Sequence, residues 1–216
     1  SGYFETVTLS EDDLKRNDMY RANAQRAKAQ SRFADYHDYL LSLEMTAEIG
    51  DFSPLYLQRI TQLTNKSNQF NLTTKRYTAE QMEAVYNSDE YIRLYGKLYD
   101  KFGDNGVVAV TIGKTDSEDK GRLDIELWLM SCRVLKRDME LAMLDSLVEQ
   151  AKKRGIREIY GHYYPTAKNK MVAGLYESFG FEKISQDEDG NTAWRLLVEG
   201  YEDKNTVIKV KEEHYA

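Results

Sequence analysis

Cysteine is scarce in this chain of 216 residues, and an excess of positive charge is absent. The single cysteine, Cys132, excludes an internal disulfide and a cysteine-rich zinc site, and we expect no metal site. The 30 Lys and Arg residues are outnumbered by 36 Asp and Glu residues, for a formal net charge of −6, and they are scattered along the chain. Because a nucleic-acid-binding protein usually carries a basic face, we expect no nucleic-acid partner.

Long apolar segments are also missing. No run approaches the roughly 20 apolar residues that a membrane-spanning helix needs, and no signal-peptide pattern opens the chain. We therefore expect no membrane partner and a cytoplasmic location. The 41% hydrophobic and 31% charged residues are ordinary for a globular protein and exclude wholesale disorder. The length allows one domain with an appendage.

The first 50 residues differ in pattern from the rest. Ser10 followed by three acidic residues is typical of a helix start, with a hydroxyl cap and acids in the first turn. A polar, Ala-rich stretch then continues to about residue 44. We interpret residues 1–50 as an N-terminal helical segment or linker and residues 51–216 as the folded domain.

Residue periodicity predicts a mixed α/β domain after residue 50. Helix starts are indicated at Ser53-Pro54 and at the capping box that begins with Thr78. From residue 91 the apolar period changes to two, which predicts an antiparallel meander of three strands ending at Cys132. A helix up to Gly155, a strand, a helix from Thr166 and two further strands follow. The expected fold is a mixed, mostly antiparallel sheet with flanking helices and an additional N-terminal helix.

Four motifs in this order resemble a known family. They are TNKSNQFNLTT at 64–74, FGDNG at 102–106, WLMSCRV at 128–134 and PTAKN at 165–169. Together they resemble the C-terminal half of FkbH-like proteins, and the order of elements looks like the GNAT acyltransferase fold. The resemblance therefore implies a GNAT-like domain over most of the chain.

The resemblance also implies a function and partners. FkbH-like proteins begin with a HAD-type phosphatase domain (subfamily IIIC), whose Asp-x-Asp-x-Thr motif is absent here. We thus expect the phosphatase domain upstream or in trans, and no phosphatase activity from this chain. The look-alike beginning at Asp187 reads as a hairpin turn. The family moves a glyceryl-like unit from a phosphorylated three-carbon acid, through an enzyme thioester, to the phosphopantetheine thiol of an acyl carrier protein, as in polyketide extender-unit supply.

Cys132 and His162 are the predicted catalytic residues. In a GNAT fold the strands before and after the long helix part at their ends, and acyl-thioester substrates enter between them. The two strands here end at these residues, so we expect a thiol–imidazole pair. Alternation places Asp124 and Trp128 on the face of Cys132, although a bulge would shift this register. The alternatives are a small buried cysteine and a structural histidine.

A phosphate-binding turn is expected next to Cys132. GNAT enzymes hold a pyrophosphate with an Arg/Gln-x-x-Gly-x-Gly/Ala turn at the start of a helix. Arg133 fits this pattern, but Lys136 and Asp138 replace the glycines, and Asp138 is expected to cap the helix itself. These substitutions weaken the case for acyl-CoA binding. They favour the single phosphodiester of a carrier, docked by Lys136 or Arg137, over a solvated loop.

The remaining predicted substrate-binding residues, beside Arg133, Lys136 and Arg137, are Asn65, Asn68, Asn71, Trp128, Lys168 and Asn169. The amides either line an acyl pocket or tie a helix end to neighbouring loops, and the Lys-Asn pair either meets a ligand anion or lies on the surface. We expect no covalently bound cofactor, with phosphopantetheine or acyl-CoA as substrate. Two functional alternatives stay open: an acyl-CoA-dependent N-acyltransferase that needs no cysteine, and a non-catalytic module that docks a carrier or partner.

Overall fold

The computed structural model describes the backbone of residues 2–212 and the side chains of residues 13–211. The helices are α1 (Gly2–Gln30), α2 (Tyr36–Ser42), α3 (Pro54–Lys66), α4 (Ala79–Tyr86), α5 (Met139–Lys153) and α6 (Leu175–Ser178), with short 3-10 turns at Cys132–Val134 and Lys170–Val172. The strands are β1 (Thr46–Gly50), β2 (Tyr91–Asp100), β3 (Gly103–Thr115), β4 (Arg122–Met130), β5 (Glu158–Tyr163), β6 (Glu182–Gln186), β7 (Thr192–Leu197) and β8 (Lys209–Glu212).

These strands form one sheet in the order β6-β7-β5-β4-β3-β2-β1-β8. Strands β1 to β4 make an antiparallel meander, and β7 is antiparallel to both β5 and β6. The two parallel pairs are β4 with β5 and β1 with β8. Helix α5 is the crossover that a parallel β4–β5 pair requires. The predicted mixed, mostly antiparallel sheet with flanking helices is confirmed.

Apolar side chains cover both faces of the sheet. On one face α5 contributes Leu144, Leu147 and Val148, all fully buried, as its helical apolar stripe predicts. On the other face α3 and α4 contribute Ile60 and Met82. Burying one such side chain stabilises the fold by roughly 1.5–3 kcal/mol. This two-sided core fixes the strands that carry the site.

The N-terminal segment is part of the folded unit. Strand β1 pairs with β2 and β8, and Tyr39 and Leu40 of α2 belong to the core. Helix α1 is tied down by an ion pair from Arg26 to Asp100 of β2. The predicted boundary at residue 50 therefore falls inside the sheet rather than between a linker and a domain. Among the described helices, none is both long and apolar enough to cross a membrane.

A β-bulge at Glu126 changes the register of β4. Ile112 of β3 faces Leu127, while the next residue, Gly113, faces Ile125, so Glu126 is an extra residue. A bulge reverses which side chains point to which face. Trp128 therefore points to the α5 side of the sheet, and the predicted shared face of Asp124 and Trp128 is wrong.

The chain after β5 is less helical than predicted. The expected helix from Thr166 is replaced by a turn in which the Asn169 side-chain oxygen accepts the Thr166 backbone N–H at 2.7 Å, and α6 begins only at Leu175. Side-chain bonds of this kind compete with helix formation. The turn predicted at Asp187 is confirmed, because its side chain accepts backbone N–H groups between β6 and β7.

Candidate functional site

Strands β4 and β5 are paired only at their first residues. The parallel register joins Arg122 to Glu158, Leu123 to Ile159 and Asp124 to Tyr160, and no pairing continues beyond these within the described strands. The gap that opens beyond Asp124 and Tyr160 is the notch. The predicted parting of these two strands is confirmed.

The chain itself fills this notch. Residues 70–73, the notch segment, lie antiparallel to the end of β4, with Asn71 opposite Leu129. The backbone N–H of Leu72 donates to the Trp128 carbonyl at 3.1 Å, and the Met130 N–H donates to the Phe70 carbonyl at 3.0 Å. On the other side, the Tyr164 N–H just after β5 donates to the Leu72 carbonyl at 2.9 Å. The segment therefore bridges both edges of the notch.

Cys132 opens onto a cleft at the end of β4. Its side chain is exposed, and it lies in the 3-10 turn that follows the strand. The cavity, here called the Cys132 cleft, has a volume of about 770 Å³. It is lined by Arg59, Leu63, Lys66, Ser67, Asn68, Gln69, Phe70, Met130, Ser131, Cys132, Arg133, Ala167 and Lys168. Four of these residues are cations and none is an acid, so the cleft is suited to an anion.

Arg59 is the one of these four cations whose guanidinium is partly buried with a shifted pKa. It makes no hydrogen bond or ion pair with any other residue whose side chain is described. Partial burial lowers the pKa of its guanidinium, and the nearby charge of Arg133 lowers it further. An arginine remains protonated in proteins, so two like charges share the cleft without a counter-ion. A phosphate or carboxylate bound between them would relieve this repulsion.

The predicted phosphate turn keeps its backbone shape without glycine. Lys136 and Asp138 have φ angles of 63° and 66°, the left-handed region in which glycine is favoured. The Asp138 side chain makes no cap hydrogen bond to α5, contrary to expectation, and burial raises the pKa of its carboxyl group. Tyr36 of α2 donates a hydrogen bond to the Lys136 carbonyl. Lys136 itself does not line the Cys132 cleft.

His162 lies in a different cavity from Cys132. Its Nε2 atom is 2.9 Å from Asp124 Oδ1, and its ring faces Tyr164 and the β6–β7 hairpin in a space of about 550 Å³. Burial alone would raise the pKa of Asp124, but hydrogen bonds from His162 and Arg122 hold it below its usual value. The structure does not form the expected thiol–imidazole pair. The bulge in β4 and the notch segment account for the difference.

Three predicted amides tie loops together. Asn65 Nδ2 donates to the carbonyls of Thr61 and Tyr77, at 3.0 and 3.2 Å. Fully buried Asn71 donates to the Ser67 carbonyl, and Asn169 Nδ2 donates to the Asn71 carbonyl at 2.9 Å. Of the two interpretations, the structure favours loop attachment for these three residues. Asn68 is different, because it lines the Cys132 cleft.

Trp128 and Arg137 are held inside the fold and do not face the cleft. Trp128 is fully buried and stacks on Phe179 with ring centroids 5.4 Å apart, because the bulge turns it towards α6. The Arg137 side chain is buried beside Asp100, with NH1 3.6 Å from Oδ2, and its NH2 donates to the Arg133 carbonyl. The prediction that these two residues bind substrate is therefore corrected.

Sequence reasoning missed two of the four cations of the cleft, Arg59 and Lys66. They lie seven positions apart on α3, with Leu63 between them, which places all three on one helix face. That spacing, next to the TNKSN motif, was the available signal. Of the predicted residues, the structure brings together Cys132, Asn68, Arg133 and Lys168 in one cleft.

Comparisons with known proteins show the fold. No protein-family model matches the sequence, and no curated protein matches it. Among solved structures, the chain is similar to an acetyltransferase of Thermus thermophilus, with TM-score 0.54, 12% identity, and coverage of 70% of this chain and 97% of the other. A Salmonella typhimurium protein described as an acetyltransferase, and solved with its cofactor acetyl-CoA, has a TM-score of 0.53 and 14% identity; the match covers 73% of this chain and 96% of the other. A GNAT-family acetyltransferase of Streptococcus pneumoniae has a TM-score of 0.51 and 16% identity; the match covers 70% of this chain and 99% of the other. The chain has the GNAT fold.

Proposed function

We propose that this protein is an acyltransferase that carries a small acyl group on Cys132 and passes it to a phosphopantetheine thiol. The observation that carries the proposal is an exposed thiol in a cleft that holds four cations and no acid. A phosphopantetheine substrate presents a thiol at one end and a phosphate at the other, so it matches both features. The fold, shared with structures named as acetyltransferases, supports acyl transfer.

The chemistry consists of two substitutions at a carbonyl carbon. In the first, the Cys132 sulfur attacks the carbonyl carbon of the acyl donor and forms a carbon–sulfur bond, while the bond from that carbon to the donor's phosphate oxygen or thiol sulfur breaks; the donor's phosphate or thiol leaves, and the proton of the Cys132 thiol passes to it or to solvent. In the second, the carrier thiol attacks the enzyme thioester, and the Cys132 thiol is released. The cations stabilise the phosphate and the negative charge that develops on the carbonyl oxygen. His162 has no part in this scheme, since it lies in a separate cavity.

The carrier and the acyl group follow from the FkbH-like resemblance. It suggests a glyceryl-like acyl group, an acyl carrier protein as acceptor, and a HAD-type phosphatase domain upstream or in trans. Carrier proteins are acidic, and the cation-lined Cys132 cleft offers such a partner a local positive patch despite the net charge of −6. A cytoplasmic location fits these partners.

Intact-mass measurement tests the proposal directly. The protein is incubated with an acyl-phosphopantetheine carrier, and the acyl adduct is assigned by peptide mapping. We expect an adduct on Cys132 that is absent from Cys132→Ser. Iodoacetamide should also modify Cys132 faster than free cysteine at neutral pH. An unmodified Cys132 in the presence of excess acylated carrier would refute the proposal.

An acyl-CoA-dependent N-acyltransferase is the second candidate. The half-buried Asp124–His162 pair, which could accept a proton from an amine, favours it, as does the acetyl-CoA bound by the Salmonella protein. This candidate predicts acetyl transfer from acetyl-CoA to an amine that survives Cys132→Ala and is lost in His162→Ala. A non-catalytic docking module predicts instead that carrier binding survives both substitutions and that no acyl group moves.

A further inference from the structure

The notch segment forms hydrogen bonds with the backbone groups at the edges of β4 and β5 that a thioester substrate would otherwise use. A pantetheine arm contains two amides, so it pairs with an unpaired strand edge in the way a peptide does. At the end of β4 the carbonyl of Trp128 and the N–H of Met130 are bonded to residues Leu72 and Phe70. The N–H of Tyr164, after β5, is bonded to the Leu72 carbonyl. The N–H groups of Met130 and Tyr164 are therefore already paired, and the Trp128 carbonyl already accepts a hydrogen bond from the segment that lies along it.

The notch segment is firmly attached. Asn71 and Leu72 are both fully buried. The Thr73 hydroxyl donates to the carbonyl of the bulge residue Glu126 at 2.7 Å, and the side-chain amide of Asn169 holds the Asn71 carbonyl from the β5 side. Displacing the segment would leave several buried polar groups unpaired unless a ligand replaced each of these hydrogen bonds.

We propose that residues 70–73 exclude a pantetheine arm from the space between β4 and β5, so that phosphopantetheine reaches Cys132 only through the Cys132 cleft. The segment is thus a specificity determinant. It rejects the between-strand binding mode that the GNAT-like resemblance implies for acyl-CoA. The hydrogen bonds of residues 70–73 exclude the arm whatever the protein's function is, whereas the route to Cys132 rests on the proposed function.

The altered phosphate turn supports the same inference independently. Tyr36 hydrogen-bonds to the Lys136 carbonyl, and Asp138 and Glu140 place two acids at the start of α5. Acids at a helix N-terminus oppose a phosphate there. The notch segment thus covers the strand edges that a pantetheine arm would use, and the start of α5 carries acids where a CoA pyrophosphate would bind.

Amide hydrogen exchange in the unmodified protein tests the exclusion. Exchange at Leu72, Met130 and Tyr164 reports the opening of the notch segment. We expect slow exchange at all three positions, unchanged by excess acetyl-CoA, whether or not acetyl-CoA binds elsewhere. Acceleration at Leu72 and Tyr164 by about tenfold or more, equivalent to about 1.4 kcal/mol, would show an arm displacing the segment and would overturn the inference.

An engineered disulfide that can be oxidised and reduced tests by which path phosphopantetheine reaches Cys132. Asn71 and Leu129 form a non-hydrogen-bonded antiparallel pair, the geometry in which Cα atoms lie close enough for a disulfide. In Asn71→Cys/Leu129→Cys, oxidation fixes the segment and reduction frees it in the same chain. Leu129→Cys alone, treated with the same oxidant, controls for the buried cysteine and for oxidation of Cys132.

We expect acylation of Cys132 from an acylated carrier to proceed at equal rates in the oxidised and reduced forms, within about twofold. A drop of about tenfold or more on oxidation, restored by reduction, would show that the substrate passes between the strands. Acylation absent in both forms and in the unmodified protein would refute the proposed function and the route together. The exchange result would still decide whether the segment excludes a pantetheine arm.

Discussion

The guanidinium of Arg26 and the carboxylate of Asp100 form a buried ion pair that joins α1 to the β2–β3 hairpin. Arg26 Nε lies 2.7 Å from Oδ2 and its NH2 lies 2.9 Å from Oδ1, with side chains 6% and 0% exposed. The same carboxylate accepts the backbone N–H groups of Phe102 and Gly103. This one carboxylate organises both the helix and the hairpin.

Removing the Arg26 charge should destabilise the protein strongly. Arg26→Met leaves Asp100 buried, with Arg137 3.6 Å away as its remaining cation, so we expect a loss of about 3 kcal/mol in the free energy of unfolding. Urea denaturation measures this loss. The control is Arg157→Met, which removes an exposed pair with Asp119 and should cost less than about 1 kcal/mol. Equal effects of the two variants would contradict the role given to Asp100.

Asp124 should make stability depend on pH under acid conditions. The pKa of Asp124 in the folded protein lies below the ordinary 3.8. Its contribution to the free energy of unfolding is therefore complete above pH 3.8 and is lost as pH falls through the folded-state pKa. We expect the difference in unfolding free energy between the unmodified protein and Asp124→Asn to be largest near neutral pH and to shrink below pH 3.8. A difference that stays constant from neutral to acid pH would show that the carboxylate charge is irrelevant.

Gly161 in β5 should not tolerate a side chain. A Cβ atom there would lie 2.4 to 2.8 Å from ring atoms of Tyr176, a fully buried residue. We expect Gly161→Ala to cost about 1–3 kcal/mol, measured as a lower urea midpoint. Gly174→Ala is the matched control, because nothing lies within 4 Å of its added Cβ, and it should change stability by less than about 0.5 kcal/mol. Equal costs would contradict the close approach of Tyr176 to β5.

Arg59 should recognise the phosphate of the substrate. With acyl-phosphopantetheine as donor, we expect Arg59→Gln to lower kcat/KM for Cys132 acylation by about tenfold, mainly through KM, since it removes a charge-assisted contact worth about 1.4 kcal/mol. With acyl-pantetheine, which lacks the phosphate, the same variant should behave like the unmodified protein. An equal loss with both donors would assign Arg59 a structural role.

Local patterns explain how much of the fold the sequence predicted. The period-two apolar runs from residue 91 and the stripe of α5 specify their elements by nearest-neighbour chemistry, and the mixed sheet followed correctly. Strand β1 was missed because its five residues lie directly after a polar, helix-like stretch. The helix expected from Thr166 was wrong because Asn169 forms local and distant side-chain bonds instead.

The site was harder to predict because it depends on long-range contacts. One extra residue, Glu126, turned Trp128 into the core. The notch segment separated the two predicted catalytic residues, and no spacing in the sequence reveals that residues near 71 pair with residues near 129. Cys132, by contrast, was correctly placed at the end of β4, because a strand end is a local property.

A pulse–chase experiment tests the central claim most directly. The protein is acylated with an isotopically labelled acyl carrier, freed of excess donor, and then mixed with unlabelled carrier whose phosphopantetheine thiol is free. We predict that the label sits on Cys132 and moves quantitatively to the second carrier within the turnover time of the steady-state reaction. A label that stays on Cys132 during steady turnover, or turnover that continues in Cys132→Ala, would contradict transfer through this thiol.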